Sequence, residues 1–220
     1  MSAQPAVLPA AASNNALWCD TICRAHGKSG EFSPHRWICR VDAPPLYPNL
    51  VTLGDASRAA VAAQLGAIDA LMTAGLSLGW AIKDSFRALD LAPRGFAHLF
   101  DAVWIASGAG LTAVDNDSLR MTMVRDGAAL AAWEAAWRRD QSLASNELPE
   151  RLFSETLLAN PEIAFLAAIR EGSIVAGAVA NRGAGAVGIS NLFCGGEQPP
   201  AVWAATIALL SPLAVWLAPE

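Results

Sequence analysis

The chain has 220 residues, of which 54% are hydrophobic and 16% are charged, and its formal net charge is −5. A chain of this length can bury one large core or two small ones, and its apolar composition excludes a largely disordered protein. The acidic balance excludes nucleic acid as the main partner, because binding to phosphates needs clustered cations.

The two ends of the chain bear on its location. The stretch Met1–Asn15 lacks the charged start of a secretory signal and contains Pro5 and Pro9, so we predict a loose tail there. Without a signal, the four cysteines are interpreted as reduced thiols of a cytoplasmic protein. The uncharged run Pro199–Pro219 is interrupted by Ser211-Pro212, which favours buried segments over a membrane span. We therefore expect no membrane partner.

The first half alternates short strands with helices. A cap at Asp55 or Ser57 opens the clearest helix, in which apolar residues recur every three or four positions. The predicted helices are Trp18–His26, Asp55–Met72 and the short turn Asp90–Arg94, and the predicted strands are Trp37–Val41, Leu50–Leu53, Leu78–Phe86 and Phe96–Ile105. Ser107–Gly110 breaks this pattern, so we divide the chain into residues 1–110 and 111–220.

The second half is richer in strand signals. The predicted elements are strand Met121–Arg125, helix Asp126–Arg139, helix Pro149–Leu158, strands Ile163–Arg170, Ser173–Asn181 and Ala186–Phe193, helix Pro200–Leu210 and strand Leu213–Leu217. Trp133 and Trp137 lie one turn apart on the first helix, and Glu134 between them is predicted to be exposed. The pattern as a whole predicts an α/β (α+β) fold.

This order of elements, with the turn Glu171-Gly172 and the run Val187–Phe193, resembles the GNAT superfamily of acyl-CoA-dependent N-acyltransferases. The resemblance covers Met121–Glu220. It implies a GNAT-like, mixed and mostly antiparallel central sheet flanked by helices, and transfer of an acyl group from acyl-CoA to an amine. Gly95-Phe96 resembles the pair that follows the last helix of the family. Residues 1–110 would then be a partial GNAT-like half that completes the sheet of the core half, as in tandem or permuted members.

The resemblance also implies where acetyl-CoA or another acyl-CoA would bind. Neighbouring late strands would diverge to admit the thioester, and the backbone of one strand end and its loop would hold it. These residues are Asn191, Leu192, Phe193, Cys194, Gly195 and Gly196. The polar pair Ser190-Asn191 could equally bond a ligand amide or a neighbouring loop.

Several positions depart from the family pattern. The loop has glycines but no arginine, Glu197 would repel phosphate, and Pro199 and Pro200 carry no N–H. Leu91 stands where the family often has a tyrosine acid. The alternative function is therefore a catalytically inactive GNAT-like domain that binds a ligand or a partner.

A polar cluster in the first half is the candidate for catalysis. Asp84 could act as a base towards the amine, with Ser85 as its hydrogen-bonding partner. The alternative is a solvated strand end, or a buried Asp84 paired with Arg87. The expected partners are a small-molecule acyl donor and an amine acceptor, and an oligomer is possible.

A second cluster combines metal-binding residue types. Cys19, Cys23, His26, His35 and Cys39 lie within 21 residues, and four Cys or His side chains can bind zinc. The alternative is that Cys19 and Cys23 lie on the buried side of a short helix with the histidines solvated nearby. Common structural zinc sites have gaps of two to four residues, so these spacings are permitted but not specific, and we assign no metal ligand.

Overall fold

The computed structural model describes residues 7–75, 79–106, 119–141 and 151–210. The chain forms two compact units, Met1–Ala106 and Ser107–Glu220. The boundary lies at the start of the segment where the sequence pattern breaks. Each unit builds its own four-stranded sheet, mostly antiparallel, from strands that follow one another along the chain. The predicted α/β (α+β) class is confirmed.

The N-terminal unit pairs its strands in chain order. Its elements are helix α1 (Val7–Ala25), strands β1 (Glu31–Ser33), β2 (Arg36–Ile38) and β3 (Leu50–Thr52), helix α2 (Arg58–Thr73), strand β4 (Ile82–Lys83) and a short 3-10 helix, Ala92–Arg94. β1, β2 and β3 are antiparallel, and β4 joins β3 in parallel. The helix predicted from Asp55 or Ser57 is α2, and the Ser57 side chain caps it by accepting from the Ala60 N–H.

The predicted loose tail is wrong from Val7 onwards, because α1 begins there. Pro9 lies in the first turn of α1, where backbone N–H groups have no acceptor within the helix, so the missing N–H of proline costs no hydrogen bond. The predicted end is right: Gly27 has φ +69°, its N–H bonds the Arg24 carbonyl, and the Lys28 N–H bonds the Cys23 carbonyl. This Schellman pair satisfies the last carbonyls of the helix.

The predicted strand Phe96–Ile105 is also wrong. The segment pairs with no described strand, and four of its apolar side chains, Leu99, Phe100, Val103 and Ile105, are each more than three-quarters exposed. An apolar run forms a strand only where a neighbouring strand can pair with it, and β4 has just two residues. The Trp104 indole N–H instead bonds the Ser85 carbonyl.

The C-terminal unit contains the longer strands. Its elements are strand β5 (Met121–Met123), helix α3 (Gly127–Asp140), a 3-10 helix (Glu155–Ala159), strands β6 (Ile163–Arg170), β7 (Ser173–Gly183) and β8 (Ala186–Phe193), and helix α4 (Pro199–Leu210). The sheet has the order β5-β6-β7-β8, and all neighbours are antiparallel. Predicted β6 and β8 have the observed ends. Of the predicted helix Pro149–Leu158, the described part forms only the 3-10 turn.

Helices cover both faces of this second sheet. On one face, Trp133 of α3 packs edge-on against Phe153, Phe165 and Phe193. On the other, Val202 and Ala205 of α4 pack against small side chains of β6 and β7. Successive strand residues point to opposite faces, so one sheet supports both cores. The predicted order is strand, two helices, three strands, helix and strand. The first strand and helix, the three strands and the helix after them are present, the second predicted helix is only a 3-10 turn in its described part, and the last predicted strand lies outside the described residues.

The sheet completion expected from the first half is wrong for the described strands. β1–β4 pair among themselves, and β5–β8 pair among themselves. In each unit, strands that are neighbours in the chain are also neighbours in the sheet, which is the usual arrangement. The predicted strand Leu213–Leu217 lies outside the described residues. Among the described helices, none has the length and apolar character needed to cross a membrane.

Candidate functional site

The most distinctive feature of β8 is a bulge near its end. Gly177 of β7 lies opposite Phe193, whereas Val179 lies opposite Ser190, so Asn191 and Leu192 together face one β7 residue. Asn191 has φ +49°, the left-handed conformation that one type of bulge uses and that asparagine tolerates better than most residues. A bulge re-aims the backbone groups around it, so the ladder is interrupted at this point.

The other edge of β8 is not paired with any strand in the described part of the chain, since β8 ends the sheet order. An edge strand offers a row of N–H and C=O groups to an extended ligand. The Ser190 hydroxyl, beside the bulge, is buried without a hydrogen-bond partner among the described residues. Ser190 lies opposite Val179, which lies opposite Phe165, so this hydroxyl is on the sheet face that α3 covers.

The strands themselves do not separate as the resemblance implied. β6 pairs with β7, and β7 with β8, along their full lengths apart from single register shifts. A slot for a thioester is therefore absent between these described strands. The position that remains is the outer edge of β8, because the strand predicted to follow it lies outside the described residues.

The loop after β8 is held closed by its neighbours. The Gly195 N–H donates to the Asp140 carboxylate at 2.8 Å, and the Glu197 N–H donates to the Cys194 carbonyl at 2.7 Å. Glu197 also forms an ion pair with Arg170. Gly195 has φ +50°, and a side chain there would clash with the Val175 carbonyl, so the loop needs glycine for both reasons.

The start of α4 has no spare donor in its first turn. Pro199 and Pro200 carry no N–H, and the amides of Ala201 and Val202 both donate to the Gln198 carbonyl, at 2.9 and 3.2 Å. The N–H groups that normally remain unpaired at this helix start are those of residues 198–201; two of these residues are prolines and the Ala201 N–H is engaged, whereas the Val202 bond is the ordinary first bond of the helix. The helix dipole therefore acts here without the hydrogen bonds that usually fix a phosphate.

A shallow cavity of about 320 Å³ lies beside this loop. Its lining includes Ala136, Arg139 and Asp140 from the end of α3, and Phe193, Gly195 and Gly196. Cys194 adjoins it, and burial raises the pKa of its thiol, with the Asp140 charge adding to the effect. At neutral pH the thiol is protonated, so Cys194 is no activated nucleophile.

The predicted catalytic pair lies in the N-terminal unit and is engaged in holding a turn. One Asp84 oxygen accepts from the Thr52 hydroxyl and the Phe86 N–H, both at 3.3 Å, and the other accepts from the Leu89 N–H at 2.8 Å. The Ser85 N–H donates to the Thr52 hydroxyl at 2.7 Å. The structure brings Asp84 and Ser85 together, but the carboxylate has the role of a cap rather than of a free base.

The residue at the place of the family tyrosine offers no proton. Leu91 packs with Trp80, Ile82 and Phe96 against the buried cluster that includes Ile38 and Leu50. The glycine after the 3-10 turn, Gly95, has φ +81° and ends that turn as predicted. This part of the N-terminal unit is apolar core.

The three cysteines of the N-terminal cluster are core residues too. Cys19, Cys23 and Cys39 are buried with Trp37 and Val51. Burial raises the pKa of Cys19 to about 12 and that of Cys23 as well, whereas metal binding requires thiolate. Within residues 7–75, 79–106, 119–141 and 151–210, no three His, Cys, Asp or Glu side chains are placed to hold a metal ion.

Two buried carboxylates were missed by the sequence reasoning. Glu134 is only 2% exposed, so the prediction that it is exposed is wrong. Its carboxylate accepts hydrogen bonds from the Leu152 N–H at 2.8 Å and the Phe153 N–H at 3.3 Å, and it forms an ion pair with Arg138. Asp20 of α1 accepts from the Gly30 N–H and the Trp37 indole N–H at 2.9 and 3.0 Å. An acidic residue on the apolar stripe of each helix was the available signal.

No protein-family model, no curated protein and no solved structure matches the chain. The geometry of the two units is therefore the basis for assigning a function.

Proposed function

We propose that the protein is a GNAT-type N-acyltransferase whose C-terminal unit holds the thioester arm of an acyl donor along β8. The observation that carries the proposal is the bulge at Asn191 in an edge strand that leads into a glycine loop and a helix. The order of β5, α3, β6, β7, β8 and α4 agrees with the resemblance drawn from the sequence.

Binding would use backbone groups. The amides of a pantetheine arm can pair with the N–H and C=O groups of the β8 edge as an added strand does. Extended polyamide ligands suit such an edge because they repeat donors and acceptors at strand spacing. The bulge would set where along the edge the thioester carbonyl stops.

The reaction needs few side chains. The neutral amine attacks the thioester carbonyl carbon, a C–N bond forms, and the C–S bond breaks as the thiolate leaves. The ammonium proton passes to water, and the thiolate takes a proton to become the free thiol. We assign no side-chain base, because both oxygens of Asp84 already accept hydrogen bonds from Thr52, Phe86 and Leu89.

The second candidate function is a catalytically inactive GNAT-like domain that binds a ligand or a partner. It is favoured by the closed loop, in which Asp140 accepts from Gly195, and by Leu91 at the position of the proton donor. Such a domain would keep the β8 edge as its binding surface and lack turnover.

Calorimetric titration of the full chain with acetyl-CoA tests binding, and release of free thiol in the presence of an amine panel tests turnover. Saturation at one hundred times Kd would also raise stability by about 2.7 kcal/mol. Binding with thiol release supports the transferase, and binding without amine-dependent release favours the inactive domain. Absence of binding at millimolar acetyl-CoA would contradict the transferase.

A matched pair of variants locates the site. Asn191→Val places a β-branched residue at φ +49° in the bulge, and we expect at least tenfold weaker binding. Ala184→Val makes the same kind of change at φ +53° in the β7–β8 turn, away from the bulge, and serves as the control for strain. Equal loss in both variants, or in neither, would show that the bulge is not the binding determinant.

A further inference from the structure

The loop at the start of α4 has committed several of the donors that a diphosphate would need. Gly195 donates to Asp140, and Glu197 donates to Cys194. The first turn of α4 contributes two prolines and two amides that already share the Gln198 carbonyl. A diphosphate is normally held by several such N–H groups at once, so the usual arrangement at a helix start does not fit here.

The charged side chains around the loop do not neutralise the negative charge of a diphosphate either. Two cations, Arg139 and Arg170, stand against two carboxylates, Asp140 and Glu197, so these four side chains sum to zero. Arg170 is paired with Glu197, and Asp140 faces the loop amide itself. An incoming diphosphate would meet the Asp140 carboxylate where it needs a donor.

The loop packs closely on β7 at one of its two glycines. A methyl group added at Gly195 would overlap the Val175 carbonyl oxygen, so the loop backbone lies directly on the start of β7 there. A phosphate group, which is larger than a methyl group, is therefore excluded from the contact between Gly195 and Val175.

We propose that this protein recognises acyl thioesters through the pantetheine arm alone, and that the diphosphate and nucleotide of CoA contribute nothing to affinity. The proposal rests on the proposed function, in which the β8 edge binds the arm. The substrate class is then any acyl-pantetheine thioester, with acetyl-CoA as one source of the arm among others.

The test compares three probes by calorimetry on the full chain, at low and at high salt. We expect acetyl-CoA and S-acetyl-pantetheine to bind within about threefold of each other, and adenosine 3′,5′-bisphosphate not to compete. The salt dependence of both thioesters should be small, since no phosphate is contacted. If acetyl-CoA binds tenfold or more tightly than S-acetyl-pantetheine, the proposal is overturned while the proposed function stands. If neither thioester binds, both are overturned.

A variant that removes two carboxylates should give the same loop an affinity for the diphosphate. Asp140→Ala combined with Glu197→Gln frees the Gly195 N–H and leaves Arg170 without its carboxylate. We expect the affinity for acetyl-CoA to rise several-fold relative to that for S-acetyl-pantetheine. The control is Glu171→Gln, which removes one exposed carboxylate from the β6–β7 turn and should leave that ratio unchanged. An unchanged ratio in the double variant would overturn the proposal.

Discussion

Trp133 gives the sharpest test of the packing that supports β8. Its side chain is completely buried, and its ring centroid lies 5.4, 5.1 and 5.3 Å from those of Phe153, Phe165 and Phe193. Its indole N–H donates to the Leu166 carbonyl at 2.8 Å. One residue thereby ties α3 to β6 and to the last residue of β8.

Replacing Trp133 with phenylalanine removes the indole N–H and part of the ring. The Leu166 carbonyl loses a buried donor, which costs about 1–3 kcal/mol. The smaller ring leaves a cavity of a few carbon atoms, which costs about a further 1–2 kcal/mol because the neighbouring rings cannot close on it completely. We expect a total loss of about 2–5 kcal/mol in the unfolding free energy of the C-terminal unit.

The assay is urea unfolding of the full chain, followed by far-ultraviolet circular dichroism so that the loss of one tryptophan does not affect the signal. Because the chain has two units, the transition of each is fitted separately. Trp203→Phe, at a half-buried position on α4, is the matched control and should cost less than 1.5 kcal/mol. If Trp133→Phe costs no more than the control, the aromatic cluster does not support β8 as argued.

Three further outcomes are expected. Ala184 has φ +53° and precedes Gly185, and asparagine is preferred at that turn position. Ala184→Asn should therefore stabilise the C-terminal unit by about 0.5–1 kcal/mol in urea unfolding, and a lower urea midpoint would contradict this. Asp84→Ala should cost the N-terminal unit about 1–3 kcal/mol, whereas a catalytic base would instead lower turnover with the midpoint unmoved. Burial raises the pKa of Cys19 in the folded protein to about 12, so between pH 9 and 12 this thiol ionises only in the unfolded protein. The free energy of unfolding should therefore fall by about 1.4 kcal/mol per pH unit over that range. The Cys19→Ala variant should show a shallower fall over that range, and an identical slope would refute the assignment.

Much of the C-terminal unit could be predicted from local patterns. The ends of β6 and β8 and the cap of α3 follow from short runs of apolar residues, a glycine turn and a capping aspartate. These features depend on residues within a few positions of one another. Their physical causes therefore act within the segment itself.

Other features depended on neighbours that the sequence does not identify. Phe96–Ile105 is rich in apolar residues and yet pairs with no described strand, and Glu134 is buried where the amides of Leu152 and Phe153 donate to it. Likewise, the carboxylate of Asp140, 55 positions away, occupies the amide of Gly195. None of these partners is close in sequence.

By itself, the sequence determined the mixed class, the division into two halves, most of the helices and strands, and the glycine loop after β8. Only the tertiary structure decided that each half builds its own sheet, that β8 carries a bulge at Asn191, and that Asp140 accepts the Gly195 N–H of that loop. The reason is that secondary structure follows from short-range periodicity and capping, whereas a hydrogen bond or ion pair between distant positions exists only after the chain has folded back on itself.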